Sequence, residues 1–182
     1  TYYRGIPFIQ VQTTLLAMVD ASIGGKTGIN TEQGKHLIGT VYQPDAVIVD
    51  LEFMKTLPEE EFLNGLAEVI KMGCILDKGL FQDIEKNKEG ILQRKDETLL
   101  PLIERSIESK RFVVEKDEQE TGLRQILNFG HTIGHALEKA SNYTLKHGFA
   151  VSMVMAAESR LAVEKKILPK QDAERLIILL KD

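Results

Sequence analysis

The sequence predicts an α/β segment over residues 1–57 followed by an all-α domain over residues 58–182. Two observations carry that division. Up to Leu57, short apolar runs alternate with glycine turns; after Pro58, apolar residues recur at a helical period almost without interruption. In the first segment, Phe8-Ile9-Gln10-Val11 and Ala46-Val47-Ile48-Val49 predict short buried strands. Between them, residues 13–18 predict a helical stretch and Gly24-Gly25-Lys26-Thr27-Gly28 a glycine-rich loop. Pro58-Glu59-Glu60-Glu61 opens the helical domain, because proline suits the first turn and acids suit the positive end of the helix dipole. Phe62, Leu66, Val69, Ile70 and Gly73 continue that helix, and further helices are predicted over 99–114, 128–140, 147–165 and 171–182.

Composition narrows the function class. The chain has 182 residues, of which 43% are hydrophobic and 27% charged, so it can bury a core and is not a disordered segment. A net charge of -4 leaves no basic excess to neutralise phosphates, which argues against a nucleic-acid binder. A single cysteine, Cys74, excludes an intrachain disulfide and suits a reducing compartment; its apolar neighbours predict a buried side chain. No apolar run reaches the ~18 residues needed to span a bilayer, so a cytoplasmic protein with no membrane partner is expected. The chain opens on Thr1 with no initiator Met and stops inside a periodic helix, which reads as a piece of a longer protein.

Three of the four histidines fall within residues 128–147. His131 and His135, four apart, share one helix face, and Gly130 and Gly134 precede them. Glycine inside a helix costs ~1 kcal/mol relative to alanine, so a ligand or another backbone is expected to approach closely. Neutral imidazoles with one carboxylate would leave an open position on a zinc-like ion. Spacing alone leaves a second reading equally open, in which the histidines are hydrogen-bonded residues of a helix interface. Glu68 stands among apolar neighbours, where an unpaired carboxylate is expensive; it is either a ligand or an ordinary glutamate paired with Lys71. Gly24-Gly25-Lys26-Thr27 lacks the upstream glycine of a nucleotide-triphosphate loop and reads as an anion-binding turn.

Taken together, these segments resemble one family. Arg4-Gly5-Ile6-Pro7-Phe8, Thr13-Thr14-Leu15-Leu16-Ala17 with Asp20, Gly24-Gly25-Lys26-Thr27, Gly34-Lys35 and Tyr42-Gln43-Pro44 are similar to 3-dehydroquinate synthase. So are Gly65-Leu66-Ala67-Glu68-Val69-Ile70-Lys71, Asp117-Glu118, Gly122-Leu123-Arg124, the run Leu127-Asn128-Phe129-Gly130-His131-Thr132-Ile133-Gly134-His135, and His147-Gly148. Order and gaps agree over nearly the whole chain.

The resemblance implies a remnant of a Rossmann-like NAD-binding domain followed by a metal- and substrate-binding helical domain. It implies a phosphate-eliminating cyclase of the shikimate pathway that uses catalytic NAD and a divalent metal, zinc or cobalt, on a phosphorylated sugar acid. Glu68, His131 and His147 match the metal ligands. Asp20, Lys26, Lys71, Lys110, Arg124, Asn128 and His135 match groups around the substrate. Arg4 and His36 match phosphate contacts, Arg4 across a homodimer interface. Thr13, Thr14, Lys26, Lys35, Phe53, Met54, Lys55 and Thr56 match part of the NAD site. Three positions depart from the family: His36 replaces an asparagine, Phe149 replaces the glutamate after His-Gly, and Gln12 replaces a proline. The alternatives are another sugar-phosphate cyclase of the same fold, or a metal-binding piece without turnover.

Overall fold

The computed structural model describes residues 5–31 and 34–181. Strand β1 (Ile9–Gln12) pairs in parallel with β4 (Ala46–Val49), Ile9 opposite Ala46 through Gln12 opposite Val49. Between them β2 (Ile29–Thr31) and β3 (Gly34–Ile38) form an antiparallel pair. The expectation of buried strands fails for β1 and β4. Ile9, Val11 and Ile48 are 60%, 54% and 47% exposed. Alternation turns these side chains to one face of a two-stranded sheet, and no second layer covers that face among the described residues.

Between β1 and β2 the helical stretch expected over 13–18 is helical from Leu15 and runs on as a π-helical turn, Ala17–Ala21. The Thr14 hydroxyl accepts the Ala17 N–H at 3.2 Å and fixes its start. The turn buries Met18 and Val19 completely and leaves Asp20 facing the longest helix of the chain.

Among the described residues eight α-helices follow: α1 (Glu52–Thr56), α2 (Glu59–Ile75), α3 (Lys78–Lys86), α4 (Lys88–Leu92), α5 (Asp96–Lys116), α6 (His131–Ala140), α7 (His147–Glu164) and α8 (Lys170–Lys181). Helix α2 is central and packs against α3, α5 and α7. It is apolar around most of its circumference, which is what a helix enclosed by others requires. Phe62, Val69 and Met72 of α2 join Leu80, Leu99, Ile103 and Val113 in one core cluster. Cys74 is exposed, contrary to the expectation of burial; it stands next to the last residue of α2. None of these helices is long and apolar enough to cross a membrane.

Two glycines set the helices that carry the histidines. The helix expected over 128–140 is broken: a 3-10 turn, Leu123–Asn128, ends before α6 begins at His131. The break is Gly130, whose φ of 78° is left-handed; its N–H donates to Glu158 Oε2 of α7 at 2.9 Å. Gly148 works by proximity instead. Its N–H donates to Asn64 Oδ1 at 2.6 Å, and a Cβ there would stand 2.0 Å from the Asn64 carbonyl oxygen. Asn64 and Glu68 are four apart and share a face of α2, so this contact delivers His147 beside Glu68. Phe149 faces elsewhere: it lines an apolar cavity with Leu66, Ile70 and Leu179.

Candidate metal centre

Glu68, His131 and His147 come from three different helices and offer ligand atoms within 4.8 Å of one another. Glu68 Oε1 lies 3.4 Å from His131 Nε2 and 3.5 Å from His147 Nε2. The other nitrogen of each ring is occupied. His131 Nδ1 is 3.0 Å from the Phe129 carbonyl, and His147 Nδ1 is 3.3 Å from Glu138 Oε2. An acceptor at Nδ1 keeps the proton there and leaves Nε2 with its bare electron pair. Three acceptors thus face one point.

Glu68 is fully buried, and neither of its oxygens has a hydrogen bond of ordinary geometry. Its close contact with Lys71 Nζ, 2.5 Å from Oε2, is an ion pair rather than a directed hydrogen bond. Oε1 therefore stays available for a cation, and the donor set of two imidazoles and a carboxylate suits zinc or cobalt. The residues present fit a divalent metal.

The electrostatics agree. Burial pushes the Glu68 carboxyl up most strongly, but Lys71, His147 and His131 together outweigh it and the Asp20 charge, and the group stays below its usual range. Burial and then Lys71 hold His131 below the ordinary imidazole value, which favours the neutral ring a metal needs. Burial also opposes charge on His147, yet Glu68 and Glu138 together raise it. A proton on His147 relieves the crowding of acceptors when no cation is present.

Asp20 lies near enough to this trio to act electrostatically on Lys71 and His131. Lys110 Nζ donates to Asp20 at Oδ1 (2.6 Å) and at the carbonyl oxygen (2.5 Å). Burial raises the Asp20 carboxyl, but Lys110 and Lys71 overcome it and hold the group far below the carboxylate range. A carboxyl whose folded pKa lies below its unfolded value contributes stability above the unfolded value, and that stability is lost as the pH falls. Asp20→Asn is therefore expected to cost roughly 2 kcal/mol at neutral pH, with the difference from the parent shrinking below about pH 4. Urea unfolding between pH 7 and pH 2 measures this; a difference constant across the range would refute the pairing.

Arg124 is buried at 3% exposure and donates to the backbone carbonyls of Glu118 (2.9 Å) and Gly24 (3.3 Å). It ties the glycine loop to the 3-10 turn. Lys26 pairs with Glu120, which also accepts from Asn128 Nδ2 at 3.2 Å. Asp117 accepts from the N–H groups of Thr121, Gly122 and Arg124 and so shapes the loop that carries Glu120. His135 is half exposed, with its ring centroid 5.5 Å from that of His131 and 5.7 Å from that of His147.

The candidate cofactor residues form a separate set. Thr13 and Thr14 follow β1, and Phe53, Met54, Lys55 and Thr56 lie on α1, which follows β4. Both sets thus stand at the carboxyl end of the parallel pair, where α/β sheets bind ligands. Within that set, Met54 turns into the core at 1% exposure, and Lys55 pairs with Glu52. Arg4 and the side chains of Lys35 and His36 lie outside the described residues. Sequence reasoning missed Glu120 and Glu138. Glu138 had a signal, three residues after His135 on one helix face; Glu120 sits in an irregular loop and had none.

Fold and site together define a class: a parallel α/β segment joined to a helical domain with a buried two-histidine, one-carboxylate centre. Residues 1–64 match the family model described as 3-dehydroquinate synthase N-terminal, and residues 65–182 match 3-dehydroquinate synthase C-terminal. The chain belongs to the 3-dehydroquinate synthase family. A 3-dehydroquinate synthase of Geobacter metallireducens is 51% identical over 181 residues, covering 99% of this chain and 50% of the relative. One from Dictyoglomus thermophilum is 54% identical over 162 residues, covering 88% of this chain and 46% of the relative. The chain spans about half the length of the curated relatives it matches.

Solved structures agree on the fold. The 2-epi-5-epi-valiolone synthase of Streptomyces hygroscopicus, with NAD+ and Zn2+ bound, superposes with a TM-score of 0.91 at 31% identity, over 99% of this chain and 51% of that one. A 2-deoxy-scyllo-inosose synthase complexed with carbaglucose-6-phosphate, NAD+ and Co2+ gives 0.87 at 30% identity, over 98% of this chain and 49% of that one.

Proposed function

We propose that this chain provides the metal- and substrate-binding part of a 3-dehydroquinate synthase, with the boundary to its NAD-binding part at residues 57 and 58. The enzyme would convert 3-deoxy-D-arabino-heptulosonate 7-phosphate to 3-dehydroquinate and phosphate as a cytoplasmic homodimer. The observation that carries this reading is the convergence of Glu68 Oε1 and the Nε2 atoms of His131 and His147, with the Lys71 ammonium paired to Glu68 beside them. Bound NAD would supply a reversible hydride acceptor and the metal a Lewis acid at the substrate oxygens.

The chain's own residues do the rest by position and charge. Glu68, His131 and His147 hold the metal. Lys110, Arg124 and Asn128 receive the substrate carboxylate, with arginine suited to it by its fork of donors. Asp20 and Lys71 face the substrate hydroxyls, and His135, on the open side of the centre, takes or returns a proton at its ring nitrogen. Lys26 stands between substrate and cofactor. Arg4 and His36 receive phosphate, Arg4 from the neighbouring subunit. Thr13, Thr14, Lys35 and residues 53–56 border the NAD.

Relatives at about 50% identity that carry the name 3-dehydroquinate synthase support this reading over the other cyclases, which stand near 30%. A protein carrying this chain at full family length is expected to lose its turnover of the heptulosonate phosphate on chelation and to recover it with zinc or cobalt. Turnover of glucose 6-phosphate instead would move the chain to the aminocyclitol-forming branch. Resistance to chelation would remove the metal from the reading.

A further inference from the structure

We infer that Glu138 is the positioning residue of the metal centre, fixing the ring of His147 through Nδ1 so that Nε2 stays aimed at the ion. The inference rests on the proposed metal ligands and adds a residue to them. Glu138 lies on α6 and His147 at the start of α7, so the two are brought together by the fold and not by local spacing. The Glu138 side chain is 4% exposed, and its Oε2 is 3.3 Å from His147 Nδ1. His135 Nε2 is farther, at 4.0 Å, and its side chain is half exposed.

A buried carboxylate needs a partner, and a neutral imidazole ligand needs something to choose its tautomer. The Glu138–His147 contact meets both needs at once. The carboxylate accepts the Nδ1 proton, leaves the Nε2 electron pair outward, and makes that pair a stronger donor. His131 has only a neutral acceptor, the Phe129 carbonyl, at the equivalent nitrogen. The two imidazoles are therefore unequal, and His147 is the ligand whose strength depends on a side chain.

His135, Glu138 and His147 could also be read as a second cation cluster. Filling both sites would strip His147 of its proton on both nitrogens, which a proton shared with Glu138 makes unnecessary.

The test is a chelator-competition titration of cobalt(II) into the purified protein, Glu138→Gln and Glu138→Ala, with the visible cobalt spectrum and the melting temperature of the metal-free form. Glu138→Gln keeps an acceptor without charge, so about tenfold weaker binding is expected; Glu138→Ala should reach about 100-fold, with an altered spectrum. Metal-free Glu138→Gln should melt within a few degrees of the parent. Affinity and spectrum unchanged in Glu138→Gln would overturn the inference while leaving the metal reading intact. Two ions per parent chain, falling to one in Glu138→Gln, would overturn it in favour of a second site. A parent that binds no cobalt would overturn the metal reading and this inference with it. Nitrogen-15 NMR of the metal-loaded parent gives an answer that needs no variant: a proton on His147 Nδ1 is required.

Discussion

Glu68→Ala is expected to destabilise the metal-free protein by about 3–5 kcal/mol, because it strands a buried cation. Lys71 is 1% exposed and its ammonium sits against Glu68. The next carboxylate, Asp20, already serves Lys110. Structural zinc binding amounts to ~10 kcal/mol or more, so one of three protein ligands carries roughly a third of it and its loss weakens metal binding by about 100–1,000-fold. The double variant Glu68→Ala with Lys71→Met separates the two effects. Replacing both partners of a buried pair with apolar groups is often neutral, so stability should largely return while metal binding does not. Urea unfolding and cobalt titration of the three proteins measure this. A single variant as stable as the parent, binding cobalt within tenfold of it, would show that Glu68 is neither partner nor ligand.

Gly148→Ala should be nearly as severe although it removes no functional group. The added methyl would collide with the Asn64 carbonyl, a backbone atom that no side-chain rotation can withdraw. Overpacking of this kind costs about 1–3 kcal/mol, and more where neither side can yield. The clash also acts on the site, since Gly148 adjoins His147 and Asn64 lies one turn from Glu68. Pushing α7 off α2 lengthens the approach of His147 Nε2 to Glu68 Oε1, now 3.5 Å. A lowered melting temperature is expected together with about tenfold weaker cobalt binding. Normal metal affinity in a destabilised variant would place the strain elsewhere.

Much of this was legible in the sequence, and the parts that were not have physical reasons. The start of α2 was readable because Pro58 and three acids mark a helix entry, and α7 because a largely apolar stretch follows His147. The metal trio was not readable from spacing. His131 and His135 share a helix face, yet the residue that meets Glu68 beside His131 is His147, on another helix. Only a tertiary contact, Gly148 on Asn64, makes that choice. The β2–β3 pair escaped notice because short strands with polar residues carry little hydrophobic signal. The break at Gly130 escaped because glycine within a helical pattern reads equally as interruption or tolerance. Glu138 was passed over because its partner lies nine residues away across a turn.

Lys71 gives the centre a property that its ligand set alone would not have. Its ammonium is a tethered stand-in, already seated against Glu68 and 3.5 Å from His131 Nε2. Small domains whose ligands repel one another fall apart when their ion leaves. Here an internal positive charge remains behind, so the three helices keep their arrangement through an exchange. Loading should then be a reversible swap within a standing scaffold, and the protein can wait for its metal in the folded state.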